Sequence, residues 1–172
     1  MTTGGENMVN LRPFLTDDQK NILDILTDRT LGETYMLPDF ETRDDAIPLF
    51  NRLLALSEDP NRFVRCIALG STAIGLLNDV EINADTVELG YAIHPDFQGH
   101  GYMTQALKQA IAQLFEQGYR CILCGAFEEN TASIRVMEKS GMRRINRTEI
   151  IEYREKVHKC VFYQCLANED RT

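Results

Sequence analysis

Apolar positions recur along the chain with two different periods, and the switches between them mark its elements. Ile22, Leu23, Ile25 and Leu26 fall at helical spacing, which predicts an amphipathic helix over Asp17–Leu26 with Thr16 placed to cap it. Ala46, Ile47, Phe50, Leu53, Leu54 and Leu56 predict a second helix over Arg43–Ser57. Pro48 falls near its first turn, where a missing N–H costs nothing, and Pro60 lies beyond its end. A short strand at Val9–Pro13 precedes both helices. Phe63–Leu69, a Gly70-Ser71 turn and Ala73–Val80 then read as a hairpin. After a turn at Asn83–Asp85, Thr86–Ile93 is a further strand, stopped by Pro95, which has no N–H to continue a ladder.

The pattern then changes. Met103, Leu107, Ala110, Ile111, Leu114 and Phe115 form one helical stripe, closed by Gly118. Cys121–Phe127 is a strand, Thr131–Ser140 a short helix ended by Gly141, and Thr148–Tyr153 and Lys159–Leu166 are two final strands. Early helices, an antiparallel meander, then alternating strands and helices define an α/β chain built on a mixed sheet. No linker or repeat divides it. One domain is expected over 9–166, with 1–8 and 167–172 as flexible termini.

Composition narrows the chemistry. Hydrophobic residues at 44% and charged residues at 26% exclude disordered and fibrous classes. Lys plus Arg is 18 against 26 for Asp plus Glu, a net charge of -8. Such a chain is a poor nucleic-acid binder, because that affinity comes largely from cations on phosphates. It suits a cationic partner such as an amine. No apolar run approaches the ~20 residues of a membrane span, and MTTGGENMVN has no signal-peptide pattern, so a cytoplasmic protein without a membrane partner is expected, monomer or homodimer. The five cysteines read as reduced thiols. Cys121 and Cys124 spell CxxC, but inside a strand pattern, where residues three apart point to opposite faces. Cys160, Cys165 and His158 do not complete a zinc spacing, so no metal is expected.

The stretch Pro95-Asp96-Phe97-Gln98-Gly99-His100-Gly101-Tyr102-Met103-Thr104 joins a strand to the strongest helix. Two glycines one residue apart permit backbone angles that a Cβ would block. The helix start offers unpaired N–H groups and the positive end of a dipole, so the loop reads either as an anion cradle or as a plain strand-to-helix turn. Neither GK[ST] nor GxGxxG is present, which removes nucleotide P-loops and dinucleotide folds.

Val87–Pro95 followed by Gln98–Leu107 resembles the acetyl-CoA motif of the Gcn5-related N-acetyltransferases: Gln or Arg, two residues, Gly, one residue, Gly or Ala. Gln98 and Gly101 match, and Met103 departs from the last position without losing its N–H. Asn130-Thr131-Ala132-Ser133 and Glu138-Lys139-Ser140-Gly141-Met142 resemble the family's second block, in wording closest to the ribosomal-protein alanine acetyltransferases. The resemblance covers about 9–166. It implies a mixed, mostly antiparallel central sheet with helices on both faces, and acetyl-CoA as acetyl donor. Backbone contacts to the pantetheine fall near Ile93. Those to the pyrophosphate fall at Gly99, His100, Gly101, Tyr102, Met103 and Thr104, Gln98 is a further cofactor-binding position, and Asn130 hydrogen-bonds the cofactor arm. Asn130 also reads as an N-cap.

The implied reaction moves acetyl to a primary amine, on a small molecule or a protein N-terminus. A lysine-type amine titrates near ~10.4 and must lose a proton first. Glu88 resembles a frequent general-base position in the family; read by itself it is an ordinary strand acid paired with a neighbour or solvent. Glu81 and Glu128 are weaker competitors. Many relatives carry a Tyr seven residues after the Asn130 position to support the leaving thiolate. Met137 stands there instead, with Ser133 one turn earlier as the nearest hydroxyl. The alternative to an enzyme is an acyl-CoA-binding sensor module on the same fold.

Overall fold

The computed structural model describes residues 7–168; the terminal expectations for 1–6 and 169–172 lie outside the described residues. Seven strands follow the order β1-β2-β3-β4-β5-β7-β6. They are β1 (Val9–Arg12), β2 (Val64–Leu69), β3 (Thr72–Asn83), β4 (Thr86–Ile93), β5 (Cys121–Phe127), β6 (Arg143–Tyr153) and β7 (Lys156–Leu166). The helices are α1 (Gln19–Leu26), α2 (Leu31–Thr34), α3 (Ile47–Leu56), α4 (Tyr102–Glu116) and α5 (Thr131–Lys139). This is an α/β fold whose sheet is mostly antiparallel, with β4 and β5 parallel. The chain groups into two compact units, one running to Asn78 and adding Tyr91–Ala106, the other made of Asp79–Gly90 and the chain from Leu107 on. The strands β3 and β4 and the helix α4 contribute residues to both.

In the first unit, β1 and β2 pair antiparallel from Val9↔Leu69 to Arg12↔Cys66, and β2 continues onto β3. The apolar faces of α1 and α3 supply Ile22, Leu23, Ile25, Leu26, Phe50 and Leu53 to a core shared with Phe14, Val64 and Cys66. Phe14 meets Phe50 edge-on, with ring centroids 6.3 Å apart. Each large side chain so buried contributes about 1.5–3 kcal/mol. The start of the first helix differs from the expected Thr16 cap. Thr16–Asp18 is a 3-10 turn, and the carboxylate of Asp18 accepts the Leu15 N–H at 2.8 Å. Arg12 grips the same carboxylate with two bonds of 2.7 and 2.9 Å. Burial alone would raise the Asp18 pKa; Arg12 and the Leu15 N–H outweigh it and hold the group below its ordinary value. A 3-10 turn at Asp44–Ala46 likewise replaces the first turn expected of the second helix, which begins at Ile47.

In the second unit, β4 pairs with β5 from Thr86↔Cys121 to Leu89↔Cys124, and β5 pairs with β7 along its whole length. Along β5, Ile122, Cys124 and Ala126 are buried while Cys121, Leu123 and Gly125 are partly exposed, so the two CxxC cysteines do face opposite ways. All five cysteines are free. Both helix ends use glycine in the left-handed region, Gly118 at φ 99 and Gly141 at φ 86. Beyond Gly141 the Met142 N–H returns to the Met137 carbonyl at 3.1 Å. The strand β6 starts at Arg143, five residues earlier than the sequence pattern predicts, and is exposed along most of its length.

Candidate active site

The loop after β4 is built by local hydrogen bonds. Just beyond the end of β4 at Ile93, the His94 N–H donates to the Ile74 carbonyl of β3 at 2.8 Å. Pro95–Phe97 forms a 3-10 turn whose Asp96 N–H donates to His94 Nδ1 at 3.1 Å. The side chain of Gln98 turns back toward the Ile93 carbonyl, 3.4 Å away. Gly99 and Gly101 then both take φ 78, a region costly to any residue with a Cβ. No heavy atom lies within 4 Å of where a Cβ would stand at either. The Gly101 carbonyl accepts the Gln105 N–H at 3.1 Å, opening α4. The N–H groups of Tyr102, Met103 and Thr104 therefore sit in a first turn that has no intrahelical acceptors for them, at the positive end of a 15-residue helix. Ile93, Gln98, Gly99, His100, Gly101, Tyr102, Met103 and Thr104 thus form one continuous strand end, open loop and helix start. The open positions at Gly99 and Gly101 fit a phosphate-bearing group approaching the backbone.

In the second unit, Glu88 lies on β4 with its side chain 18% exposed. Burial raises its pKa above the ordinary carboxylate value; Arg147 opposes this, while Glu149 and Glu81 add to it. Arg147 Nη1 stands 3.9 Å from Glu88 Oε2. Glu88 is therefore both a strand acid with a cationic neighbour and a carboxylate shifted toward proton affinity. Its competitors are less suited. Glu81 is exposed, and Glu128 is an exposed acid shared between Arg144 and Lys159 at 3.4 and 3.5 Å.

Asn130 and Ser133 are brought together at the start of α5, where Asn130 Oδ1 accepts the Ser133 N–H at 3.1 Å. Asn130 is thus an N-cap, and its amide nitrogen is not consumed by that bond. Ser133 and Met137 are buried one turn apart on the same helix face. Arg135 and Lys139 are exposed on α5.

Sequence reading missed the surroundings of Glu88: Arg147, Glu149 and Phe162. It also missed the contacts of His158, which stacks on Phe127 at 4.1 Å and pairs with Glu129. Their signal is cross-strand register, which no local spacing carries. Among the described residues no group of three or more His, Cys, Asp or Glu side chains is arranged to hold a metal ion. No helix among them is long and apolar enough to cross a membrane.

A model of the acetyltransferase (GNAT) domain matches residues 9–143, and the chain belongs to that family. Solved structures share its fold. An acetyltransferase of the family from Bacillus anthracis is 22% identical with a TM-score of 0.79, over 92% of this chain and 95% of that one. The spermidine N-acetyltransferase of Vibrio cholerae, in complex with CoA and spermine, is 19% identical at TM-score 0.78 over the same shares, 92% and 95%. The ribosomal-protein-S5-alanine acetyltransferase of Vibrio fischeri is 17% identical at 0.77, over 95% of each chain.

Proposed function

We propose that this chain is an acetyl-CoA-dependent N-acetyltransferase that passes acetyl directly to a primary amine, with Glu88 as general base. The observation that carries the reading is Glu88 itself, a half-buried carboxylate of raised pKa on the strand that runs on to Ile93 and the glycine loop. Bound acetyl-CoA supplies a thioester carbonyl open to an amine. The N–H groups of Gly99–Thr104 hold the pyrophosphate by neutral donors and a helix dipole, which lets a chain of net charge -8 bind an anionic donor. Ile93 offers backbone pairing to the pantetheine, and the Asn130 amide hydrogen-bonds the same arm. Glu88 accepts a proton from the acceptor ammonium, directly or through one water, and the neutral amine so freed attacks the thioester carbonyl. Ser133 donates a hydrogen bond to the departing thiolate, in place of the phenol that Met137 lacks.

The acceptor is a small-molecule amine or a protein N-terminus. The acidic balance of the chain and the spermidine-acting Vibrio cholerae neighbour support a cationic acceptor. Calorimetry with CoA, alongside thiol release from acetyl-CoA across polyamines, amino compounds and N-terminal peptides, tests the reading. Binding together with turnover of at least one amine is expected. Binding without turnover of any amine would replace the enzyme with an acyl-CoA sensor.

A further inference from the structure

We propose that Arg147 is a positioning residue for Glu88, aimed by an irregularity in β6 and clamped by Phe162 and Glu149 so that the carboxylate is held in place and ready to take a proton. The inference rests on the reading of Glu88 as base and extends it to a second residue.

The aim comes from the sheet. Arg144 pairs with Tyr163 and Thr148 with Val161, so four steps of β6 span what two steps of β7 span. Residues 145–147 are therefore extra chain opposite Phe162. Bulges of this kind re-aim side chains and bend the strand that carries them. Arg147 is the residue so turned, and three contacts fix it. Its guanidinium carbon lies 3.8 Å from the Phe162 ring centroid, well inside cation–π range. Its Nε and Nη2 donate to Glu149 Oε1 at 3.1 and 2.7 Å. That leaves Nη1 toward Glu88 at 3.9 Å.

The platform beneath is closely packed. Phe162 is buried, and its ring lies over Gly125, where an added Cβ would stand 2.8 Å from Phe162 Cε1. Small residue, ring, guanidinium and carboxylate thus form one stack across β5, β7, β6 and β4. The stack has a chemical consequence. Half-burial favours the neutral carboxyl, as do Glu81 from β3 and Glu149 from β6, while Cys124 of β5 and Cys160 of β7 remain neutral thiols with raised pKa values. Arg147 is the one group among these that favours the carboxylate, and a base must be ionised to work.

The test titrates Glu88 by carbon-13 carboxyl NMR, assigned by its loss in Glu88→Gln, in the parent, Arg147→Gln and Arg147→Lys. An opposite charge at this range lowers a carboxyl pKa by about 1–3 units, and partial exposure of Arg147 places the effect near the low end. Arg147→Gln is therefore expected to raise the Glu88 pKa by about one unit. It should move the acid limb of kcat/KM by the same amount and leave CoA affinity within about twofold. Arg147→Lys keeps the charge and is expected to recover part of the shift. An unmoved Glu88 pKa in a folded Arg147→Gln protein overturns the inference, whatever the rate does. A moved pKa with an unmoved rate limb upholds the positioning of Glu88 and overturns its role as base.

Discussion

Replacing Gly75 with Ala asks the strand leading into the glycine loop to give way. The new Cβ would stand 2.6 Å from the Ala92 carbonyl oxygen, 3.1 Å from Ile67 Cδ1 and 3.4 Å from Ile93 Cα. Ordinary contact begins near 3.4 Å, so the Ala92 carbonyl is about 0.8 Å too close. It is backbone in a paired strand and cannot rotate aside as a side-chain tip would. Overpacking of this kind costs about 1–3 kcal/mol, against a gain of about 0.4–1 kcal/mol from a less flexible unfolded chain. The net loss is about 1–2 kcal/mol. At ~2–4 °C per kcal/mol for a chain of this size, Tm falls by about 2–8 °C. Ala92 and Ile93 lead directly to Pro95–Thr104, so CoA binding should weaken as well. Thermal unfolding followed by circular dichroism, with calorimetric titration of CoA, reads both effects. An unchanged or raised Tm with full CoA affinity would refute the packing argument.

Gly101→Val is expected to abolish CoA binding while the protein remains folded, because the residue sits at φ 78 in open space and the strain is confined to the loop; calorimetry showing parent-like affinity would remove the cradle from 99–104. Ser133→Ala is expected to slow a chemistry-limited acetyl transfer roughly ten- to hundredfold, the worth of one hydrogen bond to a charged group. A rate within twofold of the parent would return Ser133 to a structural role, and Met137→Tyr in the Ser133→Ala background should restore part of the loss. Stability against pH gives an independent check on Glu88. Its pKa is raised on folding, so the folded protein binds the extra proton, and stability falls as pH rises from the ordinary ~4.3 through the raised value. Urea titrations should show that slope flattened in Glu88→Gln; an identical slope would mean that burial does not shift the group.

What local pattern controls was legible. The stripe from Met103 to Phe115 and the apolar run Cys121–Phe127 located α4 and β5 within a residue or so of their observed bounds. The loop was legible as well, because two glycines before a helix have a backbone meaning of their own, and both lie at φ 78. Elements whose cause is tertiary were not. The helix α2 is a single turn, too short to show a period. The first half of β6, Arg143-Arg144-Ile145-Asn146-Arg147, has no apolar alternation in its sequence: Arg143 and Arg144 join β6 by pairing with Gln164 and Tyr163, and 145–147 is the irregular stretch that follows. That irregularity brings Arg147 to Glu88. Thr16 lost its expected role to Asp18, since Arg12, six residues earlier, holds that carboxylate where it can take the Leu15 N–H.

The most direct measurement is the pH dependence of acetyl transfer by Glu88→Gln, on an amine that the parent acetylates, with CoA affinity determined alongside. General-base catalysis contributes about 10²–10⁴-fold. The variant should therefore lose at least about a hundredfold in kcat and the acid limb of its profile, with CoA affinity within about twofold of the parent. A parent-like kcat with the acid limb intact would contradict the assignment of Glu88 as the base.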